Sequence, residues 1–192
     1  MGKLRYNVAT SLDGFIARPD GSYDWIPVDN SIDFAALYAQ FDAFIMGRKT
    51  YETMLAQGDQ NPLKGRPRDR LAVVTSAGLA GGPARGVTVL AGAAEAAAWV
   101  AEAKRRLERD VWLFGGGVLA ASLLDEGVVD TIEVAVVPVV LGRGIRMIGG
   151  ELGSSRRLRL TGSEMFASRI AMCRYEVIYE SSGGDCQTAL VE

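Results

Sequence analysis

The sequence predicts one α/β domain, in which helices flank a mixed, mainly parallel β-sheet and an antiparallel hairpin forms the C-terminal end. Three observations lead to this fold class. In the first two thirds of the chain, short β-branched runs alternate with helical patterns, as parallel strands joined by crossover helices require. The last third keeps the strand patterns without helical ones, which is typical of an antiparallel edge. The length of 192 residues allows one domain with a substantial core.

The first half of the chain alternates strands and helices. The predicted elements are, in order, a strand at 3–10, a helix at 32–41, a strand at 43–46, a helix at 48–56, a loop at 59–70 and strands at 71–75 and 87–90. The first strand ends in the turn Ser11-Leu12-Asp13-Gly14, where glycine can take dihedrals that other residues avoid. Apolar residues at helical spacing define the helix at 32–41, and Asn30 and Asp33 are placed like a capping box.

The second half begins with a helix and ends with strands. The predicted elements are a helix at 93–109, a strand at 111–114, a helix at 118–124, a strand at 131–137 and a hairpin of strands at 158–166 and 170–179. In the first of these helices Glu95 comes early and Lys104 to Arg106 come late, an order that suits the helix dipole. The domain is expected to span 1–180, and residues 181–192 are expected to be a disordered tail.

The charge and hydropathy of the chain exclude several classes of function. Its 21 basic and 23 acidic residues leave a net charge of -2, and no cluster of basic residues favours nucleic-acid binding. The longest apolar run, at 134–141, is interrupted by Pro138 and is far too short to span a membrane. The N-terminus has no long apolar stretch or small-residue cleavage site. We therefore expect a cytoplasmic protein that binds neither nucleic acid nor membrane.

The chain contains no histidine and two cysteines, which limits its chemistry. Cys173 and Cys186 do not form a Cys-x-x-Cys pair, so neither a disulfide framework nor a thiolate zinc site is expected. Without imidazole, a Ser-His-Asp triad and a histidine metal site are excluded. The sequence therefore predicts no metal, and any catalysis must use carboxylates, hydroxyls, bound water or a cofactor.

The first motif that carries chemistry is a strand that ends in Gly47 and opens directly into a helix. A helix N-terminus offers free N–H groups and a partial positive charge, which is how many proteins hold phosphates. Arg48, Lys49 and Thr50 would add two charges and a hydroxyl. The alternative is that Gly47 only makes a turn and that the basic residues are solvated.

The second motif is Gly115-Gly116-Gly117, which again lies between a buried strand and a helix, here beginning with Val118. Missing side chains would let a ligand approach the backbone N–H groups, whereas the alternative is a tight turn packed under a neighbouring strand. Ligands gather at the carboxyl ends of parallel strands in open α/β sheets. Both turns could therefore hold one dinucleotide pyrophosphate, although the fingerprint G-x-G-x-x-G is absent.

These motifs resemble two related families. Met46-Gly47-Arg48-Lys49-Thr50-Tyr51-Glu52, Phe114-Gly115-Gly116-Gly117 and Val73-Val74-Thr75-Ser76 resemble the cofactor-binding segments of dihydrofolate reductases. Ala9-Thr10-Ser11-Leu12-Asp13-Gly14-Phe15-Ile16-Ala17, Asp24-Trp25-Ile26, Leu123-Leu124-Asp125-Glu126-Gly127-Val128-Val129-Asp130 and Pro138-Val139-Val140-Leu141-Gly142 are similar to the reductase domain of the riboflavin-biosynthesis deaminase-reductase. The motifs extend from about residue 3 to about residue 180 and so cover nearly the whole chain.

The resemblance implies a dihydrofolate reductase-like fold and an NADPH-dependent oxidoreductase of a small-molecule substrate. The residues that it places around the phosphates are Gly47, Arg48, Lys49, Thr50, Thr75, Ser76, Gly115, Gly116, Gly117 and Val118. Ala9 and Ile16 would lie beside the nicotinamide. The substrate would be a small heterocycle, either a pteridine or a pyrimidine of the riboflavin-pathway type, with a C=N or C=O group that accepts a hydride.

Two departures from the families limit the choice of substrate. Dihydrofolate reductases place a carboxylate after a Trp-x-x-Pro-x-Asp stretch, whereas the segment from Trp25 to Asp29 is one residue shorter. Riboflavin-type reductases have a loop resembling Asp-Asp-Pro-x-Leu-x-x-Arg that helps to hold a ribose phosphate, and the segment from Asp59 to Arg66 is only partly similar. The deaminase domain, with its zinc-binding motif, is missing. The chain therefore resembles a stand-alone relative.

Hydride transfer from a nicotinamide leaves the protein to align the reactants and to manage one proton. Asp13 is the first candidate catalytic residue because it lies beside the expected nicotinamide pocket, and its alternative is a turn residue bonded to its own backbone. Asp29 is the second candidate, with a helix cap as its alternative. Trp25 is a candidate substrate-binding residue that could equally pack in the core.

Three hypotheses about function follow from the sequence. The first is the reductase, the second is a non-catalytic nucleotide-binding module of the same fold, and the third is a dimeric scaffold whose glycines serve packing alone. A homodimer is expected in any case, because the late strands carry many apolar residues for a sheet edge.

Overall fold

The computed structural model of the protein describes residues 1–75 and 86–179 and confirms the predicted fold class. The described residues form ten strands and four α-helices. The strands are β1 (Leu4–Ser11), β2 (Phe15–Ala17), β3 (Phe41–Gly47), β4 (Leu71–Val74), β5 (Thr88–Leu90), β6 (Asp110–Gly115), β7 (Thr131–Val137), β8 (Ile145–Arg146), β9 (Arg157–Met165) and β10 (Ala171–Ile178). The helices are α1 (Phe34–Tyr38), α2 (Arg48–Ala56), α3 (Ala93–Arg106) and α4 (Gly117–Asp125). The predicted tail at 181–192 lies outside the described residues.

Eight of the strands form one sheet in the order β5-β4-β3-β6-β1-β7-β10-β9. The first six strands in this order, from β5 through β7, are parallel to one another. Strands β10 and β9 close the sheet as the predicted antiparallel hairpin. The short strands β2 and β8 form a separate antiparallel pair that the sequence pattern did not predict. They span only three and two residues, so no periodicity could reveal them.

The predicted helix at 32–41 is shorter in the structure, where α1 spans one turn and a half. Asp33 caps it, since its Oδ1 accepts a hydrogen bond of 2.9 Å from the N–H of Ala36. The helical spacing failed at Phe41, which is buried and begins β3 instead. Burial in the sheet therefore overrode the local periodicity. The predicted helix at 93–109 likewise ends early, at Arg106, because Leu107 is extended and buried.

Two apolar layers cover opposite faces of the sheet. On one face α3 and α4 pack against the strands through residues such as Val100 and Leu123. On the other face α1 and α2 cover an aromatic cluster that includes Phe44 and Trp112. The side chains of β1 alternate between these faces, with Leu4 and Tyr6 in the first layer. The sheet is therefore held in place from both sides, and its strand ends have fixed positions.

The parallel strands end together at one edge of the sheet, and this alignment determines where a ligand could bind. Gly47 pairs with Val74, and Met46 pairs with Gly115. On the other side of β6, Ser11 pairs with Val137 at the end of β1. The two glycine turns and the turn after β1 therefore share the carboxyl edge, as the sequence predicted.

Truncating the α4 contact with the sheet should destabilise the fold. Leu123 is 0% exposed, and removing its side chain leaves a cavity, so we expect Leu123→Ala to lower the free energy of unfolding by about 2–5 kcal/mol. Val118 on the same helix is 68% exposed, and we expect Val118→Ala to change stability by less than about 0.5 kcal/mol. Urea denaturation of the two variants measures the difference. Equal stabilities would contradict the assigned packing of α4.

Candidate functional site

The two glycine turns lie side by side at the carboxyl edge. Strands β3 and β6 are neighbours, so the turn at Gly47 lies beside the turn at Gly115 and Gly116. A Cβ atom placed on Gly47 would lie 3.9 Å from the backbone nitrogen of Gly116. The predicted convergence of the two turns is therefore present.

Thr50 bridges the two turns. It belongs to the first turn of α2, and its Oγ1 lies 3.3 Å from the position that a Cβ atom on Gly115 would take. Gly115 has φ of +141°, a conformation that L side chains rarely adopt. Glycine at 115 thus permits both the backbone shape and the approach of the hydroxyl.

Helices α2 and α4 both begin at a glycine N-cap. Gly47 caps α2 and Gly116 caps α4, and neither helix has a side-chain hydrogen bond at its cap. The first N–H groups of a helix have no partner within the helix itself. Two adjacent helix N-termini therefore present backbone donors and partial positive charge at the same edge.

Gly117 has a different role from Gly115 and Gly116, because backbone from another element packs against it. A Cβ atom on Gly117 would lie 2.1 Å from the carbonyl oxygen of Arg146, and its own carbonyl accepts a hydrogen bond of 3.0 Å from the N–H of Gly149. For this third glycine the structure therefore agrees with the alternative interpretation, in which the glycine serves packing. The next residue, Val118, is largely exposed.

The basic residues of the first turn differ in their surroundings. The Arg48 guanidinium donates to Oε1 of Glu52, one helical turn away, at 2.8 Å, and both side chains remain partly exposed. Lys49 is exposed. Exposed ion pairs at this spacing contribute about 0.3–0.5 kcal/mol. A bound phosphate would therefore compete with Glu52 for Arg48 at little energetic cost.

Thr75 lies at the same edge, directly after β4, and its N–H donates to the carbonyl of Leu90 at 2.9 Å. It is therefore a neighbour of the Gly47 turn, since Val74 pairs with Gly47. The predicted contact at Ser76 lies outside the described residues.

The Asp13 carboxylate joins the turn after β1 to the segment after β7. Its Oδ1 accepts hydrogen bonds from the Ser11 hydroxyl at 2.7 Å and from the N–H of Leu141 at 3.1 Å, while its Oδ2 accepts one from the N–H of Gly142 at 2.7 Å. The hydrogen bond from Ser11 contributes most to lowering the pKa of Asp13, to about 2. The carboxylate is therefore ionised at neutral pH and engaged on both oxygens, and its backbone partners belong to the segment after β7 rather than to its own turn.

Asp29 also binds backbone N–H groups. Its Oδ1 accepts hydrogen bonds from the N–H and hydroxyl of Ser31, and its Oδ2 accepts one of 3.0 Å from the N–H of Ser168 in the turn between β9 and β10. The hydrogen bonds from Ser168 and Ser31 hold the pKa of Asp29 well below its usual range. Asp29 is not a helix cap, which was its alternative role, because the N-cap of α1 is Asp33.

The remaining predicted contacts are Ala9, Ile16 and Trp25. Ala9 and Ile16 are half-buried, in β1 and β2 respectively, on either side of the turn that contains Asp13. Trp25 is also half-buried. Its indole N–H is buried and has no acceptor within the described parts of the chain. A buried indole N–H usually has a partner, so packing in the core does not by itself account for this unpaired donor.

A polar and aromatic surface beside Ala9 was not anticipated from the sequence. Asn7 precedes Ala9 by two residues on the same face of β1, and its side chain donates to Glu133 of β7 at 2.8 Å. The rings of Trp112 and Phe114 lie on this face, with centroids 5.1 Å apart. The sequence feature that could have predicted this surface is the presence of polar residues in an otherwise apolar central strand.

The described residues contain neither a metal-binding cluster nor a membrane-spanning helix. No group of three or more His, Cys, Asp or Glu residues that could hold a metal ion occurs in 1–75 or 86–179. Over the same ranges no helix is both long and apolar enough to cross a membrane.

The sheet order and the paired glycine turns define a dihydrofolate reductase-like α/β protein, the fold that the resemblance implied. The family model described as the RibD C-terminal domain matches residues 2–172, and the chain belongs to this family. The suspected family is thereby confirmed.

Relatives of known sequence or structure agree with this assignment. An uncharacterized protein of Bacillus subtilis, YwjB, is 30% identical over 168 residues, which cover 86% of this chain and 92% of YwjB. A putative riboflavin biosynthesis protein from Shewanella sp. PV-4 is 26% identical with a TM-score of 0.75, covering 93% of this chain and all of that one. Dihydrofolate reductase from Enterococcus faecalis, solved in complex with NADP(H) and RAB-propyl, has a TM-score of 0.61 at 19% identity, covering 91% of this chain and 96% of that one.

The two glycines at the start of α4 should respond differently to alanine. Gly117→Ala places a methyl group against the Arg146 carbonyl, so we expect a loss of about 1–3 kcal/mol in the free energy of unfolding. Gly116→Ala is the matched control, because its Cβ would meet only Thr50 Oγ1, at 3.7 Å. Urea denaturation of both variants checks this. A stable Gly117→Ala protein would show that the segment around Arg146 does not pack there.

The Asp13 hydrogen bonds should make stability depend on acid pH. A carboxyl group with a folded-state pKa of about 2 and an unfolded-state pKa of about 3.9 stabilises the fold above about pH 4 and loses that effect as the pH falls toward 2. Asp13→Asn should therefore lower the midpoint of thermal denaturation at neutral pH, and the difference from wild type should shrink between pH 4 and pH 2. A difference that stays constant over this range would contradict the hydrogen-bonding role.

Proposed function

We propose that the protein is an NADPH-dependent oxidoreductase that transfers a hydride to a C=N or C=O group of a small heterocycle. The observation that carries the proposal is the side-by-side position of the two glycine turns at the carboxyl edge, with Thr50 beside Gly115. Two glycine-capped helix N-termini side by side fit a pyrophosphate, which carries two adjacent negative groups. The absence of side chains at Gly115 and Gly116 leaves room for it beside the backbone.

The remaining predicted contacts fit the same orientation of the cofactor. Arg48, Lys49 and Thr75 lie beside the first turn, where the adenosine end with its 2′-phosphate would bind. Val118 is exposed at the second turn. Ala9 and Ile16, on the other side of β6, would flank the nicotinamide, which supplies the hydride when the cofactor is bound. The protein then has to orient the acceptor and manage one proton.

The substrate is proposed to lie on the aromatic face beside Ala9. The half-buried ring of Phe114, which packs on Trp112, suits a planar heterocycle, and the half-buried Trp25 remains the proposed substrate-binding residue. Arg66 supports a phosphorylated substrate of the riboflavin-pathway type. Its guanidinium stacks on the Phe44 ring at 4.4 Å and has no hydrogen bond or ion pair to any described residue, whereas Asp59 of the same loop is paired with Lys64.

Asp13 and Asp29 remain the proposed catalytic carboxylates, but as ionised groups. Hydrogen bonds lower the pKa of both, so neither is a proton donor at neutral pH. An ionised carboxylate can orient a water molecule or stabilise a protonated C=N group, and water then delivers the proton. If Asp13 acts in this way, Asp13→Asn lowers turnover more than it weakens NADPH binding.

One observation favours the second hypothesis, a non-catalytic nucleotide-binding module. Both candidate carboxylates are engaged by N–H and hydroxyl groups of the protein, while the glycine turns are intact. Such a protein would bind NADPH and reduce nothing.

Titration of the purified protein with NADPH and NADH, followed by nicotinamide fluorescence, tests the proposal. The reductase hypothesis requires NADPH binding and NADPH oxidation when a dihydropterin or an aminopyrimidine ribose phosphate is supplied. NADPH binding without reduction of any supplied heterocycle supports the binding module. No dinucleotide binding overturns both and supports the scaffold.

Arg48 should set a preference for NADPH over NADH, because the two cofactors differ only in the 2′-phosphate. A guanidinium is a natural partner of a phosphate, and the loss of a hydrogen bond to a charged group costs about 1.5–3 kcal/mol. We therefore expect Arg48→Ala to weaken NADPH binding roughly ten- to a hundredfold and to leave NADH binding nearly unchanged.

Glu52→Gln is the matched control for Arg48, because it releases the guanidinium from its ion pair and should strengthen NADPH binding slightly. The dissociation constants come from the same titration. If Arg48→Ala weakens NADH as much as NADPH, Arg48 does not bind the 2′-phosphate.

We further propose that the protein is a homodimer. Strand β9 forms the edge of the sheet, and Leu158 and Leu160 on it are 44% and 56% exposed. Leu158 also lines an apolar groove of about 350 Å³ between β7, β10 and α4. An exposed sheet edge that continues into an apolar groove is suited to a second copy of the chain.

A charge on this edge should separate the dimer. Leu160→Glu leaves the monomer fold nearly unaffected, because the side chain is largely exposed, but it would bury a carboxylate in the interface. Light scattering should give twice the monomer mass for the wild type and the monomer mass for the variant. A wild-type monomer at micromolar concentration would reject the dimer.

A further inference from the structure

Strand β1 is central in the sheet, yet two of its side chains are open on the aromatic face. It pairs with β6 on one side and β7 on the other, so only elements above or below the sheet could cover it. Asn7 and Ala9 are nevertheless half-buried. Ala9 lies beside Ala135 in register, and two methyl side chains make a flat floor that a planar ring could contact.

Charged and polar side chains of the sheet hold Asn7 in one orientation. The Arg5 guanidinium donates twice to Glu133, from Nε to Oε1 at 2.6 Å and from the second terminal nitrogen to Oε2 at 2.8 Å. The same Oε2 accepts from Nδ2 of Asn7 at 2.8 Å. Arg5 itself is fixed by Gln40 at 2.9 Å and by Asp110 at 3.2 Å.

Glu133 is ionised in this arrangement. It is 5% exposed, and burial would raise its pKa, but the hydrogen bonds and the charge of Arg5 outweigh burial and place the pKa below its usual value. An ionised carboxylate only accepts hydrogen bonds. The NH₂ group of Asn7 must therefore face Glu133, and the amide cannot flip without placing two acceptors together.

The amide oxygen of Asn7 is consequently a fixed acceptor. No side-chain or backbone donor of residues 1–75 or 86–179 bonds to it, and it is not among the buried unpaired polar atoms of that part of the chain. It therefore remains accessible. The buried Trp112 indole donates to the backbone carbonyl of Asn7 at 2.9 Å and so helps to fix the backbone at this position.

We propose that Asn7 determines substrate specificity by accepting a hydrogen bond from an exocyclic amino group or ring N–H of the heterocycle, and that Glu133 and Arg5 are positioning residues that fix its amide. This inference rests on the proposed reductase function, because it places the substrate ring next to the nicotinamide that Ala9 is proposed to flank. It narrows the substrate class to amino-substituted or N–H-bearing heterocycles. A heterocycle of the same shape that has only acceptors could not form a hydrogen bond with the Asn7 oxygen and would bind more weakly.

Two probes of equal shape test the inference on the intact wild-type protein. 2-Aminopyrimidine and 2-methylpyrimidine differ by an amino group in place of a methyl group. NMR shift titrations in saturating NADP⁺ give both dissociation constants. One neutral hydrogen bond corresponds to a preference of about three- to tenfold for the amino probe. Equal affinities, or no binding of either probe, overturn the role of Asn7.

Two variants separate a specificity role from a structural one. Asn7→Leu keeps the approximate size but removes the acceptor, so the preference should fall to about one, with urea denaturation confirming that the protein is folded. Glu133→Gln lets the neighbouring amide donate, so that the Asn7 amide can turn, and the preference should fall without loss of NADP⁺ binding. A preference that survives in both variants overturns the inference.

The same samples separate this inference from the proposed function. NADP⁺ binding without preference between the probes removes only the role of Asn7. Failure of the wild type to bind NADP⁺ or NADPH removes the reductase proposal and the inference with it.

Discussion

The parallel pairing of β3 with β6 is the contact on which the candidate site depends. These strands are separated by more than sixty positions in the sequence, and their register brings Met46 opposite Gly115 at the carboxyl edge. A shift of register would move every side chain of a strand to the other face and separate the two turns. The apolar layers on both faces oppose such a shift, because Ile45 and Leu113 are buried on one face and Phe44 and Trp112 on the other.

Glycine serves two physical needs at this edge. At Gly115 the chain requires both a positive φ and space for the Thr50 hydroxyl, so the missing side chain shapes the surface that a ligand would meet. At Gly117 the missing side chain admits the carbonyl of Arg146, which anchors the short strand β8 beneath α4. One triplet therefore contains positions for ligand approach and a position for packing, and their substitution need not have the same consequence.

Carboxylates organise the loops around the site. Asp13 binds the segment after β7, and Asp29 binds the turn between β9 and β10, in both cases through backbone N–H groups. Glu133 acts within the sheet, where it holds Asn7 and Arg5. In a chain without histidine, ionised carboxylates thus position loops and polar side chains, and the chemistry of the proposed reaction falls to the cofactor, the substrate and water.

The sequence by itself determined the fold class, the two glycine turns and the exclusion of histidine chemistry, because periodicity and residue type are local properties. It predicted α2 from Arg48 to Ala56 and β7 from Thr131 to Val137 with the bounds that the structure has. Only the tertiary structure decided that the Asp13 carboxylate binds Gly142, 129 positions later, that Gly117 receives the Arg146 carbonyl, and that Asn7 faces Glu133. Such contacts join residues that are distant in sequence, and sheet pairing with side-chain packing creates them, so no local pattern encodes them.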